Sequence, residues 1–207
     1  MTTPLPKGYC LADITVHDAT AYTQYTSRSG PAVEAAGGRF VVRGGSPEVI
    51  EGDRKVTRIA LVEFPSVDAA QAFYRGEQYQ DAIPYRVAAA STHYAILTGN
   101  DPAQMEGPAP GGPKGYLYAE MHPTDLEKYM EYPKMSTPIV HRFGGRFIVR
   151  GGQPRLLEGK RPTGRVVIAE FPSIDRAREF YFSPEYRQAM QWRLKYAHSD
   201  ICLLTGA

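Results

Sequence analysis

Gly37-Gly38-Arg39-Phe40-Val41-Val42-Arg43-Gly44-Gly45 recurs as Gly144-Gly145-Arg146-Phe147-Ile148-Val149-Arg150-Gly151-Gly152, with one change, Val41 to Ile148. The offset of 107 residues holds without a gap from Lys7/Lys114 to Gly99/Gly206. A repeat of this length reads as two copies of one small domain, residues 7–99 and 114–206, each of roughly 90 residues. A domain that small buries a limited core, so the copies are expected to pair as an intramolecular pseudo-dimer. Residues 100–113 (NDPAQMEGPAPGGP) have the composition of an extended tether. Fully stretched, the tether spans up to about 45 Å.

In copy one, residues 9–16 (YCLADITV) read as a strand, and Asp18 stands where the next helix needs an N-cap acceptor. Tyr22, Tyr25, Val33 and Ala36 recur near helical spacing and mark that helix's buried face. Pro31 interrupts it or begins a second turn, and Gly37-Gly38 ends it. Residues 39–43 alternate as a short strand, which places Phe40 and Val42 on one face and Arg39, Val41 and Arg43 on the other. Gly44-Gly45 and Pro47 bend the chain, residues 48–51 extend the strand, and Gly52-Asp53 forms a turn. Residues 58–64 (RIALVEF) make the third strand. Ser66 caps a helix with Val67, Ala70, Phe73 and Tyr74 inward. A break at Arg75-Gly76 precedes a second helical piece with Tyr79, Ala82, Ile83 and Arg86 along one side, and residues 93–98 are the last strand. In copy two, Leu126, Tyr129, Tyr132, Ile139, Val140 and Phe143 line the first helix, Ser183-Pro184-Glu185 opens the last one, and residues 200–205 close the copy. Strand, helix, strand, strand, helix, strand is the split βαβ pattern of a ferredoxin-like α+β fold.

Several phrases carry a resemblance. They are Lys-Gly-Tyr at 7–9 and 114–116, the pairs Tyr22/Tyr25 and Tyr129/Tyr132, GGRF-x-VRGG, Glu-Phe-Pro-Ser at 63–66 and 170–173, and Ser-Pro-Glu-Tyr at 183–186. Together they resemble the uncharacterised family catalogued as domain of unknown function 1330, over both copies and nearly everything except the tether. The resemblance implies the dimeric α/β-barrel superfamily, with the two ferredoxin-like βαββαβ domains packed as one intramolecular barrel. Related families include antibiotic-biosynthesis monooxygenases, stress-responsive barrel proteins and cofactor-free cyclases and isomerases. The chain departs from the family pattern at Thr98-Gly99 and Thr205-Gly206, where Glu-Gly is common. Copy one also has Gly76-Glu77-Gln78-Tyr79 in place of Ser-Pro-Glu-Tyr, so two equivalent sites are not expected.

The candidate site residues follow from side-chain chemistry. Tyr22, Tyr25, Tyr129 and Tyr132 present phenols on the inner side of the first helix, either as core packing or as a pocket wall that orients a ligand. Alternation groups Arg43 with Arg39, and Arg150 with Arg146, opposite Glu63 and Glu170 on the neighbouring strand. One reading is a structural Arg–Glu pair. The other makes the carboxylate a base and the arginine a clamp for a carboxylate or enolate. Arg86 and Arg193 stand seven residues after Tyr79 and Tyr186, on the same helical side, either bridging helix to strand or touching a ligand. His93 is the histidine with a case as a general base. It stands where copy two has Asp200, while copy two has His122 and Glu120 where copy one has Thr15 and Asp13. These differences favour copy one as the chemically competent copy, with Glu63 and His93 as its acid–base groups. Trp192 of copy two is a ring that closes or fills a pocket.

Composition excludes several classes. The chain has 207 residues, 43% of them hydrophobic and 22% charged, with a net charge of +2 and no basic run, so nucleic acid is not an expected partner. No apolar run spans a bilayer, no secretory h-region is present, and Cys10 and Cys202 have no cysteine at their matched positions, Leu117 and Ala95. A reducing cytoplasm is the expected compartment. No histidine pair has metal-ligand spacing, and no dinucleotide or phosphate fingerprint appears, so neither metal nor cofactor is expected. Three function classes remain. One is a cofactor-independent enzyme doing acid–base chemistry on a small acidic or aromatic metabolite, as isomerase, cyclase, lyase, hydrolase or monooxygenase. The others are a non-catalytic small-molecule binder and a structural barrel. Further homo-oligomerisation is open.

Overall fold

The computed structural model describes residues 5–102, 105 and 112–207, so most of the tether lies outside the described residues. In chain order the elements are β1 (Gly8–Val16), α1 (Ala19–Ala35), β2 (Arg39–Arg43), β3 (Glu48–Glu51), β4 (Arg58–Phe64), α2 (Val67–Arg75), α3 (Glu77–Gln80), α4 (Ile83–Ala89), β5 (Ala90–Thr98), β6 (Gly115–Pro123), α5 (Leu126–Tyr129), α6 (Glu131–Arg142), β7 (Arg146–Gly152), β8 (Arg155–Glu158), β9 (Arg165–Phe171), α7 (Ile174–Phe182), α8 (Pro184–Tyr196) and β10 (Ala197–Thr205). Two compact units result. Unit one is Met1–Ser46, Lys55–Pro102 and Pro154–Pro162; unit two is Pro47–Arg54, Ala103–Gln153 and Thr163–Ala207.

Each unit is a ferredoxin-like α+β domain with one added strand. The sheet of unit one runs β2-β4-β1-β5-β8 and that of unit two runs β3-β10-β6-β9-β7. Within unit one, β2-β4-β1-β5 is the ferredoxin-like order, and its neighbouring strands are all antiparallel. The fifth strand comes from the opposite repeat. β8 pairs with β5 in unit one, and β3 pairs with β10 in unit two. Residues 48–51 therefore do not extend β2, as alternation suggested. They leave their own repeat and cover the edge of the other sheet, where unpaired backbone groups would otherwise stand open.

The local signals explain the elements. Asp18, Ser66, Asp125 and Ser173 accept hydrogen bonds from the backbone N–H three residues on, at 2.9–3.2 Å, each N-cap stabilising its helix by about 1 kcal/mol. Pro31 lies inside α1 rather than ending it. The equivalent helix of unit two breaks at Met130, and Leu126 on its first turn is 52% exposed, not a lining residue. Gly8 and Gly115 of the Lys-Gly-Tyr phrases admit a close approach. A Cβ on either would collide with the backbone at the start of α2 or α7.

β2 does not alternate. Phe40 pairs with Val62, Val42 with Leu61 and Arg43 with Ala60, so Val41 is an extra residue in a β-bulge. The bulge returns Arg43 to the face of Phe40, with its guanidinium 4.8 Å from that ring, and leaves Arg39 opposite Glu63 on the other face. β7 bulges equally between Phe147 and Val149, with Arg150 4.9 Å from the Phe147 ring. The sequence-based grouping of Arg43 with Arg39, and of Arg150 with Arg146, is corrected accordingly. Among the described residues no helix is long and apolar enough to cross a membrane, and Cys10 and Cys202 are buried and form no disulfide.

The exchanged arms carry charges into the units. In unit one, Glu158 accepts from Arg86 Nη1 and Nη2 at 3.0 and 2.6 Å and from the Tyr74 hydroxyl at 2.7 Å. In unit two, Glu51 accepts from Arg193 at 2.5 and 2.7 Å and from Tyr181 at 2.7 Å. Arg86 is 1% exposed and Arg193 is fully buried. Losing the partner of a buried charge costs several kcal/mol. Glu158→Ala should therefore destabilise the chain by about 3 kcal/mol, read as a lower urea midpoint.

Burial alone would raise the Glu51 carboxyl. Its hydrogen bonds from Arg193 and Tyr181 and the Arg193 charge outweigh that and hold it below the ordinary 4.5. A carboxyl depressed in the folded state stabilises above its unfolded pKa and loses that contribution as pH falls through the folded value. Below about pH 5, stability should thus fall more steeply for the wild-type chain than for Glu51→Gln, measured by denaturation at a series of pH values.

Candidate functional site: two sheet–helix cavities

In each unit a cavity opens between the helix-facing side of the sheet and the first helix. That of unit one measures about 520 Å³ and that of unit two about 560 Å³. The floor of unit one is Cys10, Ala12 and Ile14 from β1 with Ala60 and Val62 from β4, and Tyr22 and Tyr25 of α1 form the wall. In unit two the matched floor is Leu117, Ala119 and Met121 with Val167 and Ala169, under Tyr129 and Tyr132. The alternation of β1 and β4 supplies these faces, and the bulge in β2 adds Phe40 and Arg43 to the lining. Among the described residues no Asp, Glu or His side chain lines either cavity.

Cations gather at the mouth. Arg43 and Arg58 line the cavity of unit one, and Arg150 and Arg165 line that of unit two. Arg150 Nη2 donates to Thr137 Oγ1 at 2.8 Å, and Arg58 lies 5.6 Å from the Tyr22 ring centroid. Among the described residues no carboxylate lies within ion-pair distance of these four arginines. Sequence reasoning missed Arg58 and Arg165. The available signal was an arginine at matched positions, each opening a strand. Their placement also accounts for the end of the repeated phrase. Gly44 and Gly151 hold φ of 73° and 74°, and a Cβ on Gly44 would sit 2.9 Å from Arg58 Nε. Glycine there both takes the left-handed turn and leaves room for the arginine.

The phenols point inward and stay protonated. Tyr25 and Tyr79 hydroxyls meet at 3.0 Å, and Tyr132 and Tyr186 at 2.7 Å. Burial, then the neighbouring Tyr25, pushes Tyr22 up to about 12, against the opposing charges of Arg58 and Arg86. Burial, then Tyr132, does the same to Tyr129, also to about 12, against Arg165 and Arg193. Burial raises the Cys10 thiol to about 12 as well, against a hydrogen bond with Tyr94. At neutral pH both cavities therefore present hydroxyl donors and guanidinium charge over an apolar floor.

The remaining sequence candidates lie elsewhere. Glu63 pairs with Arg39 at 3.2 Å and accepts from Tyr9 at 3.0 Å. Glu170 pairs with Arg146 at 2.5 Å and Lys114 at 3.0 Å. Both carboxylates stand on the sheet face turned away from the cavities. His93 shares that face, opposite Asp13 and against Gly159. Glu63 and His93 flank β1 at Tyr9 and Asp13. That is four residues along and two strand spacings across, on the order of 15 Å, so they do not meet at one reacting atom. Arg86 and Arg193 lie behind the tyrosines, closed by the arm glutamates. Trp192 donates to the Lys128 carbonyl at 2.6 Å and does not line the cavity. Among the described residues no three His, Cys, Asp or Glu side chains form a metal-binding group.

Each unit is thus a ferredoxin-like domain with a cavity between its sheet and its first helix. The chain belongs to the family described as Domain of unknown function (DUF1330), which matches residues 7–100 and 114–207. Solved structures share the fold at low identity. An anthrone oxidase-like protein is 12% identical over 100% of this chain and 94% of its own, with a TM-score of 0.55. A candidate monooxygenase from Fusobacterium nucleatum is 13% identical over 99% and 94%, with a TM-score of 0.57. A variant chlorite dismutase from Candidatus Nitrospira defluvii is 8% identical over 98% and 92%, with a TM-score of 0.58. Among curated proteins none matches the chain.

The protonation of the wall phenols is directly measurable. Phenolate absorbance gained on titration up to about pH 11 should be the same in the wild-type chain, Tyr22→Phe and Tyr129→Phe, because burial keeps both hydroxyls neutral in that range.

Proposed function

We propose that each unit binds a small molecule in its sheet–helix cavity, with an apolar or aromatic body on the floor and an anionic group at the mouth. The observation that carries this is the pair of cavity-lining arginines with no carboxylate partner among the described residues, repeated in both units over an apolar floor. Cavities of this size suit ligands of metabolite dimensions. Guanidinium paired with protonated phenols is a donor set for a carboxylate, enolate or phenolate. The exchanged arms support the further reading that the repeats work as an internal pair of subunits.

A second reading has the bound molecule turned over as well. Phenols kept protonated beside guanidinium charge are placed to stabilise an oxyanion that develops on a bound substrate. The names of the fold neighbours, an anthrone oxidase-like protein and a candidate monooxygenase, support small-molecule chemistry only by analogy of fold. In this reading tyrosine and arginine in the cavities stabilise the developing charge, and Glu63 and His93 take no part.

Calorimetric titration with aromatic monocarboxylates tests the binding. Arg58→Ala and Arg165→Ala should each weaken the affinity of their own unit by about tenfold, roughly one charge-assisted hydrogen bond. Their neutral methyl esters should bind poorly to the wild-type chain. Equal affinity for acid and ester would remove the arginines from the reading.

A further inference from the structure

The two cavities are not lined alike. In unit one Tyr25 and Tyr79 meet at 3.0 Å, and Cys10 and Tyr94 both line the cavity, the Cys10 thiol donating to the Ala70 carbonyl at 3.9 Å. In unit two Tyr132 and Tyr186 meet at 2.7 Å. At the positions matched to Cys10 and Tyr94 stand Leu117 and Ile201, both buried. The helix wall differs too. Thr23 and Thr26 of unit one are replaced by Met130 and Pro133, while Ser27 and Gly30 are replaced by Lys134 and Thr137. The arginine pairs at the mouths are common to both.

We propose that the cavities select different members of one ligand class. Unit one takes an aromatic anion with a hydroxyl at the end remote from its charge, and unit two takes an aromatic anion whose body is hydrocarbon throughout. This rests on the binding reading given above. The shared arginines hold the charged end in both. At the far end, a ligand hydroxyl in unit one meets Tyr94 and Cys10, groups that can hydrogen-bond it in place of the water it gives up. In unit two the same hydroxyl would lose its water against Leu117, which lines the cavity where Cys10 does in unit one. A site that offers a hydrogen bond favours the analogue with the hydroxyl, and an apolar site disfavours the analogue that gains it. Duplication has in this way produced two selectivities from one scaffold.

The test uses the full chain and two probes that differ by one hydroxyl, naphthalene-2-carboxylate and 6-hydroxynaphthalene-2-carboxylate. Amide chemical-shift titration assigns binding to each unit separately. Unit one should favour the hydroxylated probe and unit two its parent, each by at least about tenfold. Cys10→Ala/Tyr94→Phe should abolish the preference of unit one and leave that of unit two unchanged. If the double variant does not fold, Tyr94→Phe alone, which keeps the ring, should reduce the preference severalfold. A probe ratio that is the same in both units overturns the proposed selectivity and leaves the binding reading standing. If neither probe shifts the cavity resonances of either unit, the binding reading falls, and the selectivity with it.

Discussion

A buried arginine in each unit meets its carboxylate only because the chain sends a strand out of the opposite repeat. Arg86 is closed by Glu158, and Arg193 by Glu51. Neither guanidinium has water to turn to, so each unit needs its arm before the arginine can be tolerated. The same arms complete each sheet edge and bring Arg161 to Asp13 and Arg54 to Glu120, at 2.8 and 2.7 Å. Arg86 also lies 5.6 Å from the Tyr25 ring and 5.8 Å from that of Tyr94. The arm thus braces the back of the tyrosine wall whose front lines the cavity.

The cavity depends on a second constraint, the extra residue in β2 and β7. With strict alternation, Arg43 and Arg150 would have joined Arg39 and Arg146 on the opposite face and paired with Glu63 and Glu170. The bulge divides the arginines. One of each pair goes to the carboxylate and forms a structural salt bridge; the other turns over the cavity beside a phenylalanine ring. The glycines that follow clear a path for Arg58 and Arg165. The nine-residue phrase is one device, in which a strand, a bulge and a left-handed turn set two cations above an apolar floor.

Much of this was legible in the order of residues. The repeat, the helix caps at Asp18 and Ser66, the break at Arg75-Gly76 and the opening of α8 at Ser183-Pro184 depend on chemistry within a few residues of the chain, and local patterns report it faithfully. So did the inward tyrosines, whose spacing follows from the helical period. The acid–base pair was not legible in this way. Glu63 and His93 each looked suited to catalysis by type, but residue type carries no information about which sheet face is hollow. Arg86 and Arg193 looked like ligand contacts because their carboxylates lie 72 and 142 residues away in the chain.

The sequence by itself determined that there are two copies, that each is a ferredoxin-like α+β domain, and that tyrosine and arginine gather on the first helix and second strand. These follow from periodicity, capping and repetition, which are short-range properties. Only the tertiary structure decided which arginines face the cavities, which glutamates are consumed by salt bridges, and that residues 47–54 and 154–162 complete the opposite unit. Those outcomes turn on one inserted residue in a strand and on pairings between distant segments. A one-residue shift in register sends a side chain to the other face of a sheet, and a short strand joins whichever edge offers it hydrogen bonds and a buried charge to neutralise.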